Sequence, residues 1–140
     1  MNIIKTTPIS VPHSLRIFTI DQVLSFTATG GKAFLNPASE AIVSEEDVIP
    51  GTLEVADQPD ETGLYAKTYS FRIRGVNLNR TQRLKLLSSQ WCIILYADES
   101  GNERVGGSRD WPLSFSFCIA DGAYQCTITG TGIEPDPFKQ

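Results

Sequence analysis

Residues 113–120 read Leu-Ser-Phe-Ser-Phe-Cys-Ile-Ala, residues 123–130 read Ala-Tyr-Gln-Cys-Thr-Ile-Thr-Gly, and Asp121-Gly122 stands between them. Alternation of this kind is the period of a β-strand. Asp-Gly suits a two-residue type I′ turn, whose central positions both need positive φ. Such a turn sets Ala120 opposite Ala123, Ile119 opposite Tyr124, Phe117 opposite Cys126, Phe115 opposite Ile128 and Leu113 opposite Gly130. Ser114 then faces Thr129, Ser116 faces Thr127 and Cys118 faces Gln125, so apolar and polar pairs fall on different faces. A one-residue slip would scramble both. The register also puts Cys118 and Cys126 on opposite faces, where no disulfide joins them, and both read as small hydrophobic fillers.

The same period runs through residues 64–74. Tyr65, Tyr69, Phe71 and Ile73 share one face with Lys67, and Thr68, Ser70, Arg72 and Arg74 share the other. This is a half-solvated antiparallel strand, ended by Gly75. Asn79-Arg-Thr-Gln82 fits a variant capping box, and Leu84 and Leu87 follow at i and i+3, which predicts a short helix over about residues 80–88. Its other face carries Arg80, Arg83 and Lys85. Residues 91–97 are apolar on both faces, as in a central strand covered by the helix or a second sheet. Asp98 to Asn102 is a turn, Arg104-Val105 begins a returning strand, and Gly106-Gly107 marks a bulge or bend before Trp111-Pro112. Upstream, Leu15 to Ile20 and Val23 to Ala28 are strand-like runs parted by Asp21-Gln22. Residues 30–63 are dense in turn signals, and only Thr52 to Ala56 looks like a strand there. The pattern is mainly β (α+β): one β-rich domain over residues 1–132, a long acidic loop region within 30–63, and a Pro-containing C-terminal tail at 133–140.

A chain of 140 residues is long enough for one real core. With 41% hydrophobic and 20% charged residues it is neither disordered nor membrane-embedded in character, and no apolar run approaches the roughly 20 residues of a spanning helix. Residues 1–26 offer only Ile3-Ile4 and scattered apolar positions, so no signal peptide is expected. Cys92, Cys118 and Cys126 show no CxxC spacing, which argues against a zinc site or disulfide framework. The single histidine, His13, reads as a solvated or packing residue, and Gly30-Gly31-Lys32 reads as a turn rather than a phosphate loop. No catalytic residue, metal or cofactor is expected.

The charges are segregated. Ala33 to Ala66 holds eight acids (Glu40, Glu45, Glu46, Asp47, Glu54, Asp57, Asp60, Glu61) and no Lys or Arg. Lys67 to Arg109 holds eight basic residues against Asp98, Glu99 and Glu103. Two readings fit. One is a solvated acidic loop beside an ordinary basic face. The other is a docking pair, in which the acids of one copy meet Arg72, Arg74, Arg80, Arg83 and Lys85 of the next, a head-to-tail contact that closes into a ring if the rotation allows. Nucleic acid is not the expected partner: the net charge is −4, and Tyr69 and Phe71 face away from Arg72 and Arg74.

Gly63-Leu-Tyr, Arg72-Ile-Arg-Gly, the Leu-rich helix ending at Leu87, the strand from Trp91, Asp98-Glu-Ser-Gly-Asn, Val105-Gly-Gly, Trp111-Pro-Leu-Ser-Phe and the closing strand at Tyr124 to Gly130 form a further pattern. Over residues 63–132 it resembles small structural proteins of tailed phages and prophages, especially those of gut Bacteroidetes. The resemblance implies an antiparallel β-sandwich or partly open barrel with one packed helix. It implies a tail-tube, terminator or neck role without catalysis, ring-forming self-association, docking to other virion proteins, and residence in the virion after the bacterial cytoplasm. The alternative is a small ligand- or glycan-binding β-module with Trp111 as its stacking residue. An enzyme is the weakest reading, because a polar turn accounts for Asp98, Glu99 and Glu103, and a hydrolase sets its carboxylates about 5–9 Å apart across a cleft.

Overall fold

The computed structural model describes residues 15–37, 41–44 and 47–139. The strands are β1 (Leu15–Thr19), β2 (Val23–Thr29), β3 (Lys32–Pro37), β4 (Glu54–Pro59), β5 (Tyr65–Ile73), β6 (Trp91–Ala97), β7 (Glu103–Gly106), β8 (Leu113–Ala120), β9 (Ala123–Gly132) and β10 (Phe138–Lys139), with the helix α1 (Leu78–Ser88) between β5 and β6. They form one sheet in the order β2-β3-β10-β7-β6-β8-β9-β5-β4, and β1 joins it by pairing with β6. Over the described residues the chain is mainly β with one α-helix and its sheet does not close, consistent with a β-sandwich or partly open barrel.

Local chemistry accounts for the best-defined part. Asp121 and Gly122 both adopt positive φ, 55° and 76°, and the β8–β9 ladder runs in the register expected from the turn, from Ala120↔Ala123 to Ser114↔Thr129. Cys126 is buried as a filler, but Cys118 lies on the exposed face and fills nothing. Ile119, expected on the apolar face, is half exposed at the hairpin tip. Strand β6 is buried from Cys92 to Ala97 because it has a core on each side. Cys92, Ile94 and Tyr96 enter the larger core with Leu84, Leu87, Tyr69, Phe71 and Phe115. Ile93 and Leu95 enter a smaller one with Phe18, Val23, Leu35 and Val105.

Several expectations need correction. The helix starts two residues early, capped by Asn77, whose side chain accepts the Arg80 N–H at 2.8 Å; Asn79 lies inside it. The reason is tertiary. Tyr124 places its hydroxyl against both backbone groups of Asn77, accepting its N–H at 3.1 Å and donating to its carbonyl at 3.0 Å. Within residues 30–63, a strand without a sequence signal, β3, precedes β4, which begins at Glu54 rather than Thr52. The Pro-containing segment after Gly132, expected as a tail, returns to the sheet, where β10 runs parallel to β3 and antiparallel to β7.

Candidate functional site

The odd-numbered side chains of β5 face the core, and Lys67 is among them, only 5% exposed. A charged amine in that row must find partners, since burying it alone is prohibitive. Register supplies one: Asp57 of β4 lies directly opposite Lys67. The returning C-terminal segment supplies another, Asp136, which stands between Pro135 and Pro137. Lys67 Nζ lies 2.6 Å from Asp136 Oδ1 and 3.0 Å from Asp57 Oδ1, and donates to the Glu134 carbonyl at 3.0 Å. All three ammonium hydrogens are thereby engaged.

The other carboxylate oxygens are equally occupied. Asp136 Oδ2 accepts the hydroxyls of Tyr69 and Tyr96, each at 2.6 Å, and Asp57 Oδ2 accepts the Asp136 N–H at 2.8 Å. The Asp136 carbonyl accepts from Arg104 Nη1 at 2.8 Å, while Arg104 also pairs with Asp98 and lies over the Phe138 ring. Burial first, then the Asp136 charge, pushes both tyrosine hydroxyls far above their ordinary range, so they remain donors. Two glycines make room. A Cβ at Gly132 would stand 2.7 Å from Lys67 Cε, and one at Gly106 would stand 2.8 Å from the Tyr69 hydroxyl oxygen.

A groove of about 450 Å³ adjoins the cluster, lined by Phe26, Lys67, Arg109, Trp111, Ile133, Asp136 and neighbouring residues. Trp111 is half-buried on its wall, in a turn tied by Ser108: the Ser108 hydroxyl accepts the Trp111 N–H at 3.0 Å. Arg109, on the groove wall, donates to the Val23 carbonyl.

The residues singled out by charge are divided. Glu40, Glu45 and Glu46 lie outside the described residues, as does His13. Asp47 pairs with Arg80 at 3.0 Å in the same chain, Asp57 is consumed by Lys67, and Arg83 donates to the Ile42 carbonyl at 2.7 Å. Asp60 caps the turn into β5: hydrogen bonds from Thr62, side chain first, hold its carboxyl below the usual range. Arg72 sends Nη2 to the Ala120 carbonyl at 3.3 Å. Glu54, Glu61, Arg74 and Lys85 are exposed, and no ion pair among the described residues engages them. Of the turn acids, Asp98 accepts the N–H groups of Ser100 and Asn102, Glu103 pairs with Arg16, and Glu99 is exposed. No cluster of candidate metal ligands occurs among the described residues.

Charge segregation pointed to Asp57 for another purpose and missed Lys67, Asp136, Tyr69 and Tyr96 as a unit. The available signal was the parity of Lys67, a cation in a row of aromatic and aliphatic side chains. Its partner lies 69 residues downstream, and no spacing rule connects the two. No family model, curated protein or solved structure matches the chain.

Proposed function

We propose that this chain is a non-enzymatic structural subunit of a phage or prophage virion, of tail-tube, terminator or neck type. On this reading it works by self-association and by docking to neighbouring virion proteins, first in the host cytoplasm and then in the particle. The supporting observation is where unpaired charge remains. Glu54 and Glu61 are exposed on and beside β4, the last strand of the sheet, while Arg74 and Lys85 are exposed before and along α1. Exposed acids and bases left without partners inside the subunit suit a head-to-tail contact between copies. Arg80 and Asp47 neutralise each other internally and drop out of that surface. Light scattering on purified protein tests the reading: species larger than a monomer at low salt, dissociating as salt screens the contact, are expected. A monomer at every concentration and salt, with no binding to proteins encoded beside it, overturns it.

The groove at Trp111 favours a second reading, a ligand- or glycan-binding module, because an indole on the wall of a 450 Å³ groove is suited to stacking on a sugar face. A glycan screen with Trp111→Ala as control decides it. Binding lost in the variant supports this site; no binding, or binding that ignores the substitution, excludes it.

A further inference from the structure

We infer that Lys67 and Asp136 condense into an intramolecular amide, with Asp57 carrying the protons. This modification is independent of what the subunit assembles with. Amide formation from an amine and a carboxylic acid needs a desolvated nucleophile close to the carboxyl, donors that polarise the carbonyl, and a base that moves protons to the leaving oxygen. Each is in place. Nζ lies 2.6 Å from Asp136 Oδ1, with side-chain exposures of 4% and 1% for the two partners. Tyr69 and Tyr96 both donate to Oδ2, the oxygen that would carry the negative charge of a tetrahedral intermediate. Asp57 Oδ1 touches Nζ at 3.0 Å, while its Oδ2 is anchored on the Asp136 N–H, so base and electrophile are held as one unit.

The step balances without a co-reactant. A proton passes from the Lys67 ammonium to Asp136, giving a neutral amine and a neutral acid. Nζ attacks Cγ, the carbonyl π pair moves onto Oδ2, and the two tyrosine hydroxyls stabilise it. Asp57 takes a proton from the nitrogen and delivers it to Oδ1. The Cγ–Oδ1 bond breaks as the Oδ2 pair returns, and one water leaves through the adjoining groove, which borders both Lys67 and Asp136. The product ties β5 to the segment leading into β10. Gly132 and Gly106 allow it, because a side chain at either would displace Lys67 or the Tyr69 hydroxyl.

The test is denaturing mass spectrometry of the purified wild-type chain with tryptic mapping. The expected mass is one water below that of the unmodified sequence. Loss of water alone is insufficient, since succinimide formation at Asp121-Gly122 gives the same change, so the peptide map carries the decision. Trypsin should fail to cut after Lys67 and should yield peptide 33–72 joined to peptide 110–139. Cleavage after Lys67 with free 110–139, after prolonged incubation of folded protein, overturns the inference whatever the intact mass. Asp57→Asn, with its fold verified by circular dichroism, should abolish the joined peptide or slow its appearance at least tenfold. An unchanged rate in that variant removes Asp57 from the proton-carrying role.

Discussion

Lys67 sits where the alternation of β5 calls for an apolar side chain, and the network around it converts a liability into a fastening. Whether Lys67 is held by Asp136 as an ion pair or, after condensation, as an amide, removing Asp136 leaves a buried ammonium without its nearest partner, a loss of about 3–5 kcal/mol. Asp136→Ala should therefore destabilise the protein by at least about 3 kcal/mol in urea unfolding, whereas Glu61→Ala, at an exposed site, should stay within about 0.5 kcal/mol. Equal effects would contradict this account of the core. The same burial fixes an alkaline limit. Cys92 and Cys126 have thiols pushed by burial from 9.0 to about 12, and the hydroxyls of Tyr69 and Tyr96 are raised well above 10.0. Between those values the unfolded chain releases protons that the folded chain keeps. Fewer protons on the unfolded state means stability falls as pH rises, by about 1.4 kcal/mol per pH unit for each group. Urea midpoints should thus hold steady below about pH 8 and decline above about pH 9, more steeply past 10. Tyr96→Phe should reduce the slope above 10 by one group's share, and an unchanged slope would show that Tyr96 is not held protonated.

Elements were legible in proportion to how local their causes are. The β8–β9 hairpin carries its turn, register and faces within eighteen residues, and each emerged from alternation plus Asp121-Gly122. The buried face of α1 was likewise given by Leu84 and Leu87. Its start was not, because two asparagines compete for the cap and Tyr124, far along the chain, selects Asn77. The two substitutions should separate cleanly: Asn77→Ala is expected to lose about 0.5–2 kcal/mol, and Asn79→Ala a few tenths at most, in matched thermal or urea melts. Strand β3 has no legible period, because Lys-Ala-Phe-Leu-Asn-Pro shows little alternation. What makes it a strand is pairing with β2 across the Gly30-Gly31 turn and with β10 on its other side. β10 is harder still, since two residues have no period at all. The charge blocks misled in part for a related reason: composition locates Asp47 and Asp57 in an acidic stretch, but register and folding deliver them to Arg80 and Lys67.

At the scale of the whole molecule, the C-terminal segment joins parts of the chain that lie far apart in sequence. β10 bridges β3 to β7, and Asp136 at its entrance meets β4, β5 and β6 through Asp57, Lys67, Tyr69 and Tyr96. A chain ending at Gly132 would thus lose two kinds of support together. The edges of β3 and β7 would be unpaired, and an edge strand with open N–H and C=O groups is prone to aggregate. Lys67 would keep only Asp57, and the tyrosine hydroxyls would lose their acceptor inside the core. The smaller core, which includes Leu35 of β3 and Val105 of β7, would lose the strand that holds those two side by side. Truncation after Gly132 should accordingly lower the melting temperature by well over the few degrees (about 2–5 °C) that 1 kcal/mol produces in a domain of this size, and should speed amide exchange in β3 and β7 ahead of the β8–β9 hairpin. A dispensable tail would leave both measurements unchanged, so thermal melting and hydrogen exchange on one truncated variant discriminate between an appendage and a structural strap.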